Sequence, residues 1–239
     1  MRKLFLSLVV ILVLSAGCAT TGNGENGSSG AGAPERLGPP RKEPARLADP
    51  IEPVNRAFFQ FNDVFYLWVL EPVAEGYAVV VPATGRRGID NFFTNLGFPG
   101  RFVNCILQAD LYGSGVETAR FCTNTTVGVL GFGNPATHWL GLKPRREDFA
   151  QTFAVYGVGA GFYINWPLMG PSSVRGTVGS LLDSFLYAPS YVYGLTLYER
   201  INSTSLHLGR YGELKEAALD PYIGLKNAYW QRRQKLISE

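Results

Sequence analysis

The sequence predicts a mainly α-helical domain, and three observations predict it. Helix-start signals recur along the chain: Asp49-Pro50-Ile51-Glu52, Ser114-Gly115-Val116-Glu117 and Asp220-Pro221 each combine a capping side chain with a proline or an acidic partner. After the first of these, apolar residues return with helical spacing. Nowhere do β-branched residues hold a period of two for long enough to specify a strand.

The chain opens with a segment of another kind. Arg2 and Lys3 form a short basic n-region, Leu4 to Leu14 is an apolar run, and Ser15-Ala16-Gly17-Cys18 follows. This pattern predicts a signal peptide over residues 1–17, too short for a membrane span. Small residues ending in a cysteine resemble a bacterial lipoprotein signal, which makes Cys18 the lipidated N-terminus of the mature chain. Ser15 stands where such signals usually carry leucine. Ala19, rather than aspartate, after Cys18 points to the outer membrane. Residues 18–48 are rich in Gly, Ser, Asn, Thr and Pro without apolar periodicity, which predicts a disordered tether. Such a tether reaches roughly 30 Å. The folded domain is expected over 49–239.

Within that domain, Asp49 is expected to cap a helix whose wheel places Ala57, Phe58, Phe61, Val64, Phe65, Trp68 and Val69 on one arc. Asn55, Arg56, Gln60, Asn62, Asp63 and Tyr66 fall on the other, with Phe59, Leu67 and Leu70 intruding. So aromatic a face suits a core, or equally a helix lying in a membrane interface. Pro72 should end the helix, leaving Glu71–Pro82 as a linker or short helix. Arg86 to Leu96 reads as the next helix, and Pro99 opens another through Leu107. Gly113 is expected to break the chain before the Ser114 box starts a helix that Gly128 and Gly131 loosen. Gly176–Leu186 and Tyr191–Leu208 are helical candidates separated by Pro189. Asp220-Pro221 begins a last helix with Tyr222, Leu225 and Tyr229 on one face. Its basic end, Arg232, Arg233 and Lys235, suits the helix dipole.

Phe149–Val174 is distinct. It runs for 26 positions without a charge, holds four glycines, two prolines and six aromatics, and carries polar Gln151, Thr152, Asn165, Ser172 and Ser173. Aromatic rings with a polar handle favour a water–lipid boundary. The stretch reads as a broken segment held at a membrane by neighbouring helices, or as the core of a soluble domain, and by itself does not choose.

Composition narrows the function classes. Without Arg2 and Lys3 the chain has 20 basic and 19 acidic residues, so it presents no electrostatic case for nucleic acid. His138 and His207 stand in no metal-ligand spacing, and there is no Gly-x-Ser-x-Gly elbow. Gly157-Val158-Gly159-Ala160-Gly161 is followed by Phe162 instead of the glycine of a dinucleotide fingerprint, and no P-loop lysine follows. No catalytic residue, metal site or cofactor is expected. A lipid or peptidoglycan hydrolase would need a nucleophile with its base. Cys105 and Cys122 remain after Cys18, on expected consecutive helices; a bridge and two free thiols are both open.

Five ordered motifs carry a resemblance: DPIEPVNRAFFQFND (Asp49–Asp63), NLGFPGRFVNCILQ (Asn95–Gln108), RFCTNTTVGVLGFGNPA (Arg120–Ala136), EDFAQTFAVYGVGAGFYINWPLMGPSSVR (Glu147–Arg175) and DPYIGLKNAYWQRR (Asp220–Arg233). The chain resembles the VacJ/MlaA family of outer-membrane lipoproteins through essentially the whole domain. It departs at Gly176, where an acidic residue is common, and at Ala160-Gly161-Phe162, which replaces a Gly-Pro-Tyr-like version. The resemblance implies a helical ring embedded in the inner leaflet of the outer membrane, lipid-anchored on its periplasmic side. It implies an amphipathic passage that moves phospholipids from the outer leaflet to a periplasmic lipid-carrier protein, and association with a trimeric porin. Asn55, Asn62 and Tyr66 are candidates to line that passage, and Asn91, Asn95, Asn104 and Asn124 are compatible with polar, neutral walls. For each asparagine, helix-to-helix hydrogen bonding is the alternative. A passive envelope scaffold associated with porins is the alternative function.

Overall fold

The computed structural model describes residues 46–238. The expected signal peptide, Cys18 and nearly all of the expected tether therefore lie outside the described residues. Helix dominates, as the sequence predicts. The packed chain begins slightly before Asp49: Leu47 is buried with Tyr163 and Tyr222, and the Ala48 carbonyl accepts a hydrogen bond from the Tyr163 N–H.

Helix α1 (Glu52–Phe65) passes through a π turn (Tyr66–Leu70) into α2 (Glu71–Val80). Pro72 does not end the helix. It has no N–H, and its ring would clash with the carbonyl four residues back. The π turn absorbs the mismatch, with the Glu71 N–H bonding the Tyr66 carbonyl five residues back. The stop comes at Val81, which is extended, as a residue before proline prefers. There the chain turns by 117° into α3 (Ala83–Leu96). Helix α4 (Phe98–Leu107) carries Pro99 in its first turn, as expected.

Helix α5 (Leu111–Thr126) corrects a second expectation. Its cap is Asp110, whose carboxylate accepts from the Gly113 N–H at 2.8 Å. Gly113 belongs to the first turn because the capping carboxylate folds over it; a Cβ there would lie 2.0 Å from Asp110 Oδ2. Ser114 bonds back to the Leu111 carbonyl, and Glu117 is committed elsewhere. The short helices α6 (Pro135–His138) and α7 (Phe149–Val155) are capped by Asn134 and Asp148.

The uncharged stretch holds the one sheet among the described residues. Strands β1 (Tyr163–Trp166) and β2 (Gly170–Ser173) pair antiparallel, with Tyr163 opposite Ser173 and Trp166 opposite Gly170. The sequence reading, which expected a mainly helical domain, did not place this hairpin, since each strand is only four residues long. Ser173 then caps α8 (Val174–Leu186), a 3-10 turn (Ala188–Tyr191) follows, and α9 (Leu195–Ser205), α10 (Arg210–Glu216) and α11 (Pro221–Ser238) complete the fold. The Asp220 carboxylate accepts from the N–H groups of Tyr222 and Ile223, as its position before Pro221 predicts. Gly179 lets α8 cross α7 closely: a Cβ there would lie 2.5 Å from the Ala150 nitrogen.

Followed from neighbour to neighbour, the packing closes a circuit. Helix α1 lies on β1 and continues into α2, α2 packs on α9, α9 on α3, and α3 touches α4 and α5. Helix α4 reaches α7, α7 meets α11, and α11 touches β2, which pairs with β1.

Candidate functional site

The distribution of polarity is inverted relative to an ordinary soluble domain. Among the described residues, buried polar and charged side chains outnumber buried apolar ones, and large apolar side chains are widely exposed. Asn, Gln, Glu and Arg rarely tolerate full burial. Here Asn55, Asn104, Glu117, Gln151, Asn165 and Asn202 are each at most 1% exposed. The aromatic arc of α1 is not core. Phe61, Val64, Trp68 and Val69 face outward, Trp68 at 78% exposure, and Val79 at the end of α2 reaches 87%.

The inward face of the first helix is therefore the polar one. Asn55 is completely buried. Its amide donates to Asp49 Oδ1 at 2.8 Å and to the Tyr163 carbonyl at 3.0 Å, and its Oδ1 accepts from the Asn165 N–H at 2.8 Å. One turn on, Phe59 meets the Tyr222 ring edge-on, although on the wheel it seemed an intruder. Asn62 then donates to the Trp166 carbonyl at 2.9 Å and accepts from the Leu168 N–H at 2.6 Å. Asn55 and Asn62 thus clamp the two ends of β1. Asn55 is fully buried, and its side-chain hydrogen bonds go to the hairpin and to Asp49.

Tyr66, half-buried, packs against Tyr211 at 4.5 Å between ring centroids. Asp49 serves the same clasp instead of capping α1: Tyr222 Oη and Lys226 Nζ both donate to its Oδ2. Burial alone would raise the Asp49 carboxyl pKa, but the donors Tyr222, Asn55 and Lys226 hold it below its ordinary value.

Asn95, Asn104 and Asn124 are likewise tied into the fold. Asn95 donates to Thr125 Oγ1 at 2.9 Å, and Asn104 accepts from Thr152 Oγ1 at 2.7 Å. Asn124 accepts from the Ala136 N–H at 3.1 Å. Cys105 is buried and Cys122 exposed, and both are free thiols, so the bridge is not formed in this structure. Burial and the neighbouring Glu147 charge push the Cys105 thiol up to about 12.

Two cavities adjoin along α3, and the sequence reading did not find either. The first, about 700 Å³, is lined chiefly by apolar surface from Ile89, Val127, Val129, Phe132, Pro135 and Trp139. The backbone beside it is strained: Val129 and Leu130 have φ of 52° and 58°, and Gly131 follows at 94°. The second, about 430 Å³, is polar and contains Asp90, Asn91, Arg101, Arg120, Arg146 and Glu199. Asn134 borders both.

The charges of the second cavity rest on a buried cluster. Glu117 Oε2 accepts from Arg101 Nε at 2.7 Å, and Oε1 accepts from the Arg145 N–H at 2.7 Å. Arg120 Nε lies 3.8 Å from Oε1, and its Nη1 donates to Thr137 Oγ1 and the Leu142 carbonyl. One buried carboxylate thus faces two guanidiniums. Burial draws the Arg120 pKa below its ordinary value; Glu117 opposes this and Arg101 reinforces it. On the other side burial, and then the negative charge of Asp90, raise the Glu199 carboxyl pKa, while Tyr187 and Arg200 nearby oppose them. No local sequence signal marks this site, because its charges come from four helices and the loop before α7.

The whole domain has relatives. An intermembrane phospholipid transport system lipoprotein MlaA from Escherichia coli K12 is 32% identical over 239 residues, covering 96% of this chain and 87% of that protein. The protein of the same name from Haemophilus influenzae is 29% identical, over 83% and 82% of the two chains. A solved structure described as "Structural basis for maintenance of bacterial outer membrane lipid asymmetry" superposes with a TM-score of 0.69 at 33% identity. It covers 80% of this chain and 99% of that one. The MlaA lipoprotein family model matches residues 47–236, the hairpin clasp and both cavities included, and the chain belongs to the MlaA lipoprotein family.

Proposed function

We propose that this lipoprotein removes mislocalised phospholipids from the outer leaflet of the outer membrane and delivers them, chemically unaltered, to a periplasmic lipid-carrier protein. It sits on the periplasmic side of the outer membrane, anchored through Cys18 beside a trimeric porin, and immerses its apolar exterior in the inner leaflet. The observation that carries this reading is the inverted polarity next to adjoining apolar and polar cavities. A phospholipid must move its tails and its headgroup together, and every charged group left in hydrocarbon is costly. An apolar exterior suits immersion, and a cavity pair of opposite character suits a molecule with two opposite ends.

The broken backbone between α7 and α8 fits the same setting, since irregular segments survive at membrane depth only when protein covers their polar groups. Asn55, Asn62 and the Asp49 clasp provide that cover for the hairpin. Among the candidates, Asn62 and Tyr66 remain partly exposed on the passage side of α1 in this reading.

Deleting the gene tests it. Surface-accessible phospholipid should rise and resistance to detergent should fall, and a Cys18→Ala chain should fail to restore both. Normal outer-leaflet phospholipid in the deletion strain, even under envelope stress, would sink the transport reading in favour of a passive scaffold.

A further inference from the structure

We propose that the polar cavity is a headgroup subsite for zwitterionic phospholipids that carry a primary ammonium. Arg101, Arg120 and Arg146 hold the phosphate, and Asp90 with Glu199 takes the ammonium. The inference rests on the transport reading above and adds which lipid the site prefers.

Charge in this cavity is sorted by element. The carboxylates come from α3 and α9, which pack on each other; the guanidiniums come from α4, α5 and the strand of loop leading to α7. Here Asp90 and Arg146 enter no ion pair among the described residues, although both border the same space. Arg120 is 3% exposed, and its buried Nε has no hydrogen-bond partner. Glu117 makes its close contact with the partly buried Arg101, while the buried Arg120 Nε lies 3.8 Å away. An excess positive charge therefore waits on one side. A phosphodiester, with one charge and two free oxygens, matches that excess.

The opposite side has the converse imbalance. Burial raises the Glu199 carboxyl pKa and Asp90 adds to it by like-charge repulsion, while Tyr187 and Arg200 offset part of the rise. A cation between these carboxylates removes the repulsion. A primary ammonium brings three N–H donors to the site, whereas a glycerol headgroup brings only neutral hydroxyls. The apolar cavity adjoins through Asn134, which gives the acyl chains of the same molecule a place and makes a lipid, rather than a free phosphoester, the ligand.

The test is retention of lipid by the full-length lipoprotein in detergent, read by native mass spectrometry after incubation with equimolar phosphatidylethanolamine and phosphatidylglycerol of identical chains. The wild type should retain the ethanolamine lipid by about fivefold over the glycerol lipid, the scale of a partly screened charge pair. Asp90→Asn, whose carboxylate enters no ion pair among the described residues, should shrink that ratio toward one, as should Glu199→Gln. Arg146→Gln should weaken both lipids alike and leave the ratio unchanged. Water-soluble glycerophosphoethanolamine should compete poorly; competition equal to that of the lipid would overturn the lipid source.

A wild-type ratio of one, with both lipids well retained, sinks the headgroup assignment and leaves transport standing. A ratio that survives Asp90→Asn and Glu199→Gln together does the same. Failure to retain either lipid overturns both.

Discussion

The hairpin clasp and the α3 cavities are both built from polar side chains, yet they use them in opposite ways. In the clasp, Asp49, Asn55, Asn62, Tyr222 and Lys226 satisfy one another and the backbone of β1. In the cavity wall, Arg101 and Arg120 share one carboxylate, and Asp90 and Arg146 have no ion-pair partner among the described residues. A satisfied buried network rigidifies its surroundings, whereas an unsatisfied one is costly unless something else completes it. On the proposed reading, the difference separates the part of the molecule that holds shape from the part that takes a ligand.

The sharpest way to break the comparison is Asn55→Leu. Leucine leaves the Asn165 N–H, the Tyr163 carbonyl and Asp49 without their partner in a buried place. The expected loss is about 3–5 kcal/mol, read as a fall in melting temperature and in protein level. A folded variant of normal stability with altered transport would return Asn55 to the passage wall.

Glu117→Gln comes next. It removes the charge that buried Arg120 and partly buried Arg101 share, at an expected cost of about 3 kcal/mol. Bound phospholipid should lessen that cost if the cavity's positive excess is a ligand site; an equal cost with and without lipid would make the cluster purely structural.

Asp183 gives a smaller, pH-dependent effect. It is enclosed between α4, α7 and α8, where it accepts from Asn104 Nδ2 and the Phe149 N–H. Burial and then the Asp148 charge push its carboxyl up to about 7, against an ordinary 3.8. Below the ordinary value both folded and unfolded chains hold the proton. Between there and about 7 the folded chain keeps a proton that the unfolded chain has released, so stability falls as pH rises, and above that the full cost applies. Asp183→Asn should therefore stabilise the protein at pH 8 by roughly 2 kcal/mol and change little at pH 4. Melting curves that respond to pH alike in both proteins would reject this assignment.

The smallest expected effect is at Val129. A β-branched residue with positive φ costs about 1–2 kcal/mol, and Val129 is largely exposed. Val129→Gly should raise stability by about 1 kcal/mol if the strain is real. No gain would mean that the loop relaxes freely, which would make the apolar cavity more pliant than the clasp.

By itself the sequence determined the helical class, because caps, prolines and helical spacing act within a few residues of one another. Pro99 and Asp220-Pro221 start helices where local chemistry says they should. Its motifs also carried the family, confirmed over residues 47–236. It misassigned Asp49, Ser114 and Pro72 because each has a competing partner or accommodation. Asp49 is taken by Tyr222 and Lys226 from the far end of the chain, the Asp110 cap starts α5 one turn earlier, and a π turn absorbs the proline. The hairpin escaped notice because Asn55 and Asn62, more than a hundred residues away, supply the partners its short strands lack. Only the tertiary structure decided which face of α1 is inside. The wheel separates apolar from polar, but whether the apolar side meets a core or lipid depends on what packs against the other side. Here the polar side meets a polar interior. The cavities were invisible for the same reason: Asp90, Arg101, Arg120 and Glu199 lie on four helices, and only the folded circuit brings them around one space.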